Sequence, residues 1–203
     1  QLCHPAIAVD STGSTVYLAF EASNGGGAEI GAVSLASGGA TWTALPATAS
    51  GILSSEAGTK ADPAVAVGYL DMLYVAWANA TDGCIYGCQS LPGAATLFAS
   101  GKLVTGGAAS KPAIFAENSS YSVHVAWLQG GGTPNPDVLY ANSTDAQVGL
   151  LTGTSVTHND SGAQLAGAPK VIINYDISPC KVFVFWHDKR SSVANDTDIM
   201  FAE

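Results

Sequence analysis

The chain has 203 residues, and its seven basic and sixteen acidic residues give a formal net charge of −9. Only 11 % of the residues are charged and 23 are glycine, a composition that argues against a helical protein and fits a single all-β domain. Because no basic run occurs, we expect neither nucleic acid nor an anionic membrane as a partner. The most apolar window, 63–80, contains Asp71 and is typical of two strands joined by a turn, so we expect no membrane span.

Four similar units follow one another along the chain. The predicted strands are, in chain order, 5–9, 16–20, 30–33 and a weaker 41–47; 63–67, 73–77, 85–88 and a weaker 97–105; 112–116, 123–127, 138–141 and a weaker 151–157; and 169–173, 182–186 and 199–202. Each unit opens with a proline, and these prolines are 49 to 58 residues apart. A repeat of about 40–50 residues with four antiparallel strands is typical of a β-propeller blade.

The sequence therefore predicts an all-β, four-bladed β-propeller built from four repeats of about 50 residues, forming one domain over 1–203. The predicted blades are 5–60, 63–108, 112–160 and 169–203, and the last blade lacks its outer strand. An aromatic residue ends each second strand, and we expect it to pack between blades. These residues are Phe20, Trp77, Trp127 and Trp186.

The repeats resemble those of the sialidase-type, Asp-box or neuraminidase-like, propeller family. The resemblance is clearest at 182–202, where Trp186 and Arg190 precede Asp198, and at 37–42, which is similar to an Asp-box turn with Ser37 in place of Asp. Members of that family bind the substrate carboxylate with three arginines, whereas Arg190 is the one arginine of this chain. The resemblance therefore implies a non-catalytic member, and we expect the protein not to be an enzyme.

No motif predicts a catalytic, cofactor or metal site. The four histidines are isolated, without HxH or HExxH spacing, and no Gly-x-Ser-x-Gly elbow occurs. Asp188, Asp196 and Asp198 offer oxygen ligands for Ca²⁺, but their spacing is not that of a calcium-binding loop. A surface ion pair with Arg190 explains them better. We therefore predict no catalytic residues, no metal and no cofactor.

N-glycosylation sequons are more frequent than chance predicts. Five of the eight asparagines lie in Asn-x-Ser/Thr, namely Asn79, Asn118, Asn142, Asn159 and Asn195. All five fall at predicted turns or strand ends, where a glycan is accessible. The sequence thus predicts a secreted, extracellular glycoprotein of a eukaryotic secretory pathway, with Gln1 as a processed N-terminus.

The four cysteines, Cys3, Cys84, Cys88 and Cys180, suggest two disulfides in a secreted chain. Cys84 and Cys88 lie roughly 13 Å apart if their strand is continuous, which is too far for a bond. Two alternatives stay open. One is a local Cys84–Cys88 loop with a Cys3–Cys180 bond between the first and last blades; the other is bonds between subunits stacked head to tail.

The last predicted strand has an unpaired edge that could contact another chain. We expect an assembly edge at Asp198, Ile199, Met200 and Phe201, and hence a homo-oligomer. The leading functional hypothesis is an extracellular structural or assembly subunit, such as one of a filament or surface layer. The alternative is a lectin-like module that binds carbohydrate or protein. A third hypothesis is a glycosidase with an unrecognised pair of carboxylates.

Overall fold

The structure, a computed structural model, describes residues 2–23, 27–45, 51–92, 101–130, 136–143, 153–156, 164–165, 167–175, 181–189 and 198–203. Within them the fold is all-β, confirming the predicted class, and the one helical element is a 3₁₀ turn at Tyr69–Asp71. No helix in these ranges has the length and hydropathy needed to cross a membrane.

Among the described residues, sixteen strands form four sheets, and each sheet comes from one sequence repeat. The first sheet contains β1 (Leu2–Val9), β2 (Thr15–Ser23), β3 (Ala28–Ala36) and β4 (Thr43–Leu45); the second contains β5 (Lys60–Val67), β6 (Leu73–Asn79), β7 (Cys84–Gln89) and β8 (Gly101–Val104). The third contains β9 (Ser110–Ala116), β10 (Val123–Gln129), β11 (Asp137–Ser143) and β12 (Thr154–Ser155). Each of these three sheets is an antiparallel meander in chain order.

The fourth sheet departs from this order. It contains β13 (Gln164–Leu165), β14 (Lys170–Asn174), β15 (Lys181–Lys189) and β16 (Asp198–Ala202). Both β13 and β14 pair with β15, at its two ends, so together they form one interrupted first strand. On its other side β15 pairs with β16, and in the described residues no further strand follows.

The first strands of the sheets are neighbours in the order β1, β5, β9 and β14. They line a cavity of about 350 Å³. The first three strands each contribute the repeated proline and the two residues after it, and the fourth strand contributes the two residues after its proline. This cavity is the central channel of the propeller. The lining residues are Pro5, Ala6, Ile7, Pro63, Ala64, Val65, Pro112, Ala113, Ile114, Lys170 and Val171.

The core lies between successive sheets as three apolar clusters. Trp77 packs between the first and second sheets, Trp127 between the second and third, and Trp186 between the third and fourth. All three are at most 4 % exposed, as the sequence predicted. Burying aromatic and aliphatic side chains on both faces of a sheet supplies the main stabilising term of the fold.

Phe20 differs from these three tryptophans. It ends the second strand of its unit like the others, but it lies on the face of the first sheet that points away from the second sheet. That face borders an open apolar groove of about 410 Å³ lined by Cys3, Pro5, Leu18, Phe20, Val33 and Trp42. The expectation that Phe20 packs between blades is therefore wrong for the described residues. Each of the three tryptophans packs on the sheet that precedes its own, whereas among the described residues Phe20 borders this groove.

The outward face of the fourth sheet is also apolar. Phe183, Phe185 and Phe201 contact one another there with ring centroids 6.2–6.4 Å apart, while Val184 and Trp186, at alternate positions, face the third sheet. On β16, Ile199 is 71 % and Phe201 62 % exposed. The use of this edge for contact with another copy of the chain stays a prediction.

Candidate functional site at one end of the channel

The sequence around the repeated proline produces a bulge in each of the first three inner strands. Proline has no N–H to donate to the ladder, and the pairing of β1, β5 and β9 shifts register at this point. The residue before the proline has a positive φ in all three cases, 47° for His4, 53° for Asp62 and 50° for Lys111. A residue before proline ordinarily adopts an extended conformation, so the same strained geometry occurs three times.

These three residues lie at the same end of the channel, because each immediately precedes the residues of its own strand that line the cavity. We call this end the channel mouth. The residues at this position in the three sheets are a histidine, an aspartate and a lysine. Strained backbone and bulges both concentrate where a protein aims side chains at a ligand, so the channel mouth is the candidate site.

Glu21 of β2 connects the first two sheets beneath the mouth. Its carboxylate, only 8 % exposed, accepts hydrogen bonds from the Cys3 thiol at 3.1 Å and from the Asp62 backbone N–H at 2.8 Å. His4 Nδ1 lies 2.7 Å from Glu21 Oε1. Burial alone would raise the pKa of Glu21, but the hydrogen bonds from Cys3, Asp62 and His4 outweigh it and leave the pKa below its ordinary value. Glu21 is therefore an ionised group held by three donors.

The same contact acts on Cys3 in the opposite direction. The hydrogen bond to Glu21, with burial and the negative charge of Glu21, raises the pKa of the Cys3 thiol. Cys3 thus carries its proton at neutral pH and donates it to the carboxylate. The site as described combines one buried anion with thiol, imidazole and backbone donors.

At the channel mouth, the fourth sheet differs from the other three sheets. Its inner strand is interrupted between Leu165 and Lys170, and Ala168 precedes the repeated proline. Gly167 lies against His187, where a Cβ would come within 3.1 Å of the imidazole Nδ1. His187 is exposed on β15.

None of the mouth residues was singled out by the sequence prediction of a site. The available signal was the polar residue before three of the four repeated prolines, in His4-Pro5, Asp62-Pro63 and Lys111-Pro112. The cluster of Arg190 with Asp188, Asp196 and Asp198 stays untested, since Arg190 and Asp196 lie outside the described residues and, for Asp188 and Asp198, only the backbone position is described.

The sequons have different environments. Asn79 is 1 % exposed, its amide Nδ2 donates to the Ala57 carbonyl, and its Oδ1 accepts from the Thr81 N–H. The prediction of a glycan at Asn79 is therefore wrong, because this buried amide is used inside the fold. Asn118 and Asn142 are exposed, whereas Asn159 and Asn195 lie outside the described residues.

The cysteines also depart from prediction. Cys3, Cys84 and Cys88 are free thiols, and Cys180 lies outside the described residues. Cys84 and Cys88 sit on one continuous strand and are 3 % and 4 % exposed between the first two sheets. Neither a local Cys84–Cys88 bond nor a bond from these two thiols to another subunit fits this position. Burial raises the pKa of Cys88 to about 12.

Comparison with known proteins identifies solved structures that share this fold. No protein-family model and no curated protein sequence matches the chain. Among solved structures, native Bacillus subtilis arabinanase Arb43A is similar with a TM-score of 0.59 and 13 % identity, over 99 % of this chain and 72 % of that enzyme. The GH43 endo-arabinanase from Bacillus licheniformis matches with a TM-score of 0.59 and 14 % identity, over 98 % and 71 %.

A third similar structure is the xylan β-1,4-xylosidase from Bacillus halodurans C-125, with a TM-score of 0.59 and 12 % identity. The match covers 98 % of this chain but 41 % of the xylosidase, so the chain spans well under two thirds of that enzyme. At these identities the similarity shows the fold, a β-propeller.

Three expectations from the sequence are corrected by this finding. The neighbours are GH43 glycoside hydrolases, five-bladed propellers, and not members of the sialidase-type family. The expectation of a non-enzyme rested on the missing arginines of a family to which the neighbours do not belong, and it is wrong as argued. The structural or assembly role has no support among them. The strand repeat pointed to the wrong family because propellers of many families share it. The repeat therefore indicates the fold and does not indicate the activity.

Proposed function

We propose that the protein binds an uncharged polysaccharide chain at the channel mouth. The observation that carries this proposal is the triple strained bulge, which places His4, Asp62 and Lys111, from three sheets, directly before the residues that line the central cavity. Carboxylate, imidazole and ammonium groups on a rigid scaffold are suited to the many hydroxyl groups of a sugar.

The ligand class is supported by charge and by the structural neighbours. A net charge of −9 disfavours an acidic polysaccharide, because long-range repulsion slows its association. The neighbours with printed activities include arabinanases, a xylan xylosidase and an exo-β-1,3-galactanase, and these names indicate neutral polysaccharides. We therefore propose arabinan, xylan or galactan as the ligand class.

Hydrolysis of the bound chain is a second candidate function, favoured by one observation. The carboxylate of Glu21 accepts a hydrogen bond from the backbone N–H of Asp62, so two acidic residues from different sheets are neighbours here, and most glycoside hydrolases use a pair of carboxyl groups. The lowered pKa keeps Glu21 ionised, as a base or nucleophile must be. Asp62 would then serve as the acid that protonates the leaving oxygen.

The test is binding of linear arabinan, xylan and β-1,3-galactan to the full chain by affinity electrophoresis and calorimetry. Asp62→Asn is expected to weaken binding roughly tenfold, the effect of losing a hydrogen bond to a charged group. Asp71→Asn is the matched control, because Asp71 also has a positive φ, of 56°, but lies outside the mouth in an exposed 3₁₀ turn. Equal effects of the two substitutions, or no retention by any polysaccharide, would overturn the proposal.

Release of reducing ends from the bound polysaccharide separates the two functions. If Asp62 is the acid, reducing ends appear with the native chain and fall by orders of magnitude in Asp62→Asn. Retention of the polysaccharide without any release of reducing ends would establish a binding module that does not cleave.

We also propose that the protein is secreted and carries N-linked glycans on Asn118 and Asn142, both of which are exposed. Glycopeptide mapping of natively sourced protein is expected to find carbohydrate at these two sites and none at Asn79. Carbohydrate at Asn79, or its absence from both exposed sites, would contradict this proposal.

A further inference from the structure

We propose that Cys3, His4 and Glu21 form a binding site for a divalent transition-metal ion, with Zn²⁺ as the best-suited ion. This inference does not depend on the polysaccharide ligand, since it concerns the side chains of the first sheet alone. It assigns a chemical role to a cysteine that forms no disulfide in the described structure.

The three side chains already converge on one point. Cys3 Sγ is 3.1 Å from Glu21 Oε2 and His4 Nδ1 is 2.7 Å from Glu21 Oε1. One ligand atom from each residue lies within 4.8 Å of the other two. Tetrahedral zinc with bonds of about 2.0–2.3 Å places its ligand atoms roughly 3.3–3.8 Å apart. Small side-chain rotations therefore suffice to replace the hydrogen bonds by metal bonds.

The strained backbone explains how two consecutive residues reach the same partner. In a regular strand Cys3 and His4 would point to opposite faces of the sheet. The left-handed conformation of His4, with φ at 47°, interrupts this alternation, and the register of β1 against β2 shifts just after Cys3. Because Cys3 pairs directly with Glu21 across the two strands, both side chains come to lie over the Glu21 carboxylate.

The chemistry of the ligand set selects the ion. One sulfur, one imidazole nitrogen and one carboxylate oxygen match the borderline preference of Zn²⁺, whereas Ca²⁺ and Mg²⁺ prefer oxygen ligands. The His4 side chain is 65 % exposed while that of Glu21 is 8 % exposed, so the site is anchored inside and open to solvent outside. Three protein ligands with an open fourth position are the arrangement of reactive zinc sites.

Binding requires one deprotonation. The Cys3 thiol proton goes to solvent as the Zn–S bond forms. The His4 nitrogen that donates to Glu21 in the metal-free protein must give up its proton to bind the metal, and the ring then carries that proton on its other nitrogen, so the net release is one proton. The ion then neutralises the negative charge that Cys3 and Glu21 would otherwise share.

The test uses untagged full-length chain, stripped with a chelator, kept reduced with a phosphine and titrated with ZnCl₂ by calorimetry. One equivalent is expected to bind, with release of a proton to the buffer. Titration with CoCl₂ is expected to produce thiolate-to-cobalt charge-transfer absorption in the near ultraviolet. Cys3→Ser should abolish that band, and Cys3→Ser and His4→Gln should each weaken Zn²⁺ binding by more than the roughly 10–100-fold typical of losing an outer-shell partner.

Two controls separate this site from adventitious binding. Cys84→Ala removes a buried thiol and His187→Gln removes an exposed imidazole on another sheet, and both are expected to leave Zn²⁺ affinity unchanged. Circular dichroism checks that every variant keeps its β structure. Binding that survives in Cys3→Ser, binding lost in His187→Gln, or no binding by the native chain would each overturn the proposal.

Discussion

The backbone N–H of Asp62 in β5 donates a 2.8 Å hydrogen bond to the carboxylate of Glu21 in β2. This bond joins the bulge of the second sheet to the second strand of the first sheet, 41 residues earlier in the chain. Because Glu21 also holds Cys3 and His4, one buried carboxylate sets the relative positions of residues from two blades at the channel mouth.

Replacing Glu21 by Gln is expected to destabilise the protein by about 1–3 kcal/mol, because an amide cannot accept from all three donors and leaves buried polar groups unsatisfied. The pKa of Glu21 is lowered in the folded protein, so its stabilising contribution is present above pH 4.5 and is lost as the pH falls through the folded-state pKa. Urea denaturation against pH should therefore show a shallower acid slope for Glu21→Gln than for the native chain. The exposed Glu203→Gln is the control, and an equal change of slope there would contradict this assignment.

His124 of β10 is expected to control stability nearer neutral pH. It is 4 % exposed, with Nδ1 2.6 Å from the Tyr140 hydroxyl and Nε2 3.1 Å from Glu117 Oε1. Burial lowers the pKa of His124, although the hydrogen bond from His124 to Glu117 acts in the opposite direction. The pKa of Tyr140 is raised to about 12, so its hydroxyl is protonated and donates to a neutral imidazole.

Because the folded pKa of His124 lies below the unfolded value, stability is complete above about pH 6.5 and declines as the pH falls from there toward the folded-state pKa. His124→Gln should remove this part of the pH dependence, measured as the urea midpoint between pH 7.5 and 5. His187→Gln, at an exposed position, should retain it. A native urea midpoint that is constant across this range would show that His124 is not the responsible group.

The aromatic residues that end the second strands are expected to contribute unequally to the free energy of unfolding. Trp127→Ala empties a site that is 1 % exposed and should cost about 3–5 kcal/mol. Phe20→Ala, at the equivalent position of the first sheet, should cost no more than roughly half of that, because Phe20 borders the open groove. Chemical denaturation measures both, and equal losses would show that the outward face of the first sheet is covered.

Thiol reactivity should distinguish the cysteines. In a Cys180→Ser background, the native protein is expected to react at Cys3 alone, since Cys3 is partly exposed while Cys84 and Cys88 are buried. The raised pKa of Cys3, which reflects its bond to Glu21, should make this reaction slow at pH 7 and faster as the pH rises. All three thiols should react in urea. Rapid native reaction of three thiols would refute the buried placement of Cys84 and Cys88.

Much of the fold was predictable from local pattern. The proline that opens each unit, the alternation of the strands and the aromatic at the end of each second strand are properties of single repeats, and they indicated four antiparallel sheets of a propeller. Propeller families share these features because burying both faces of a blade demands them, and so the same pattern led to the wrong family.

The candidate site depends on contacts that no single repeat contains. Glu21 looks like an outward-facing strand residue in the sequence, yet it is buried because the bulges at His4 and Asp62 bring donors from two sheets over it. Asn79 looks like a glycan acceptor, yet tertiary packing uses its amide internally. The sequence by itself determined which segments become strands, since that depends on neighbours along the chain. The tertiary structure alone decided which polar side chains meet, because burial and partner choice are set by residues distant in sequence.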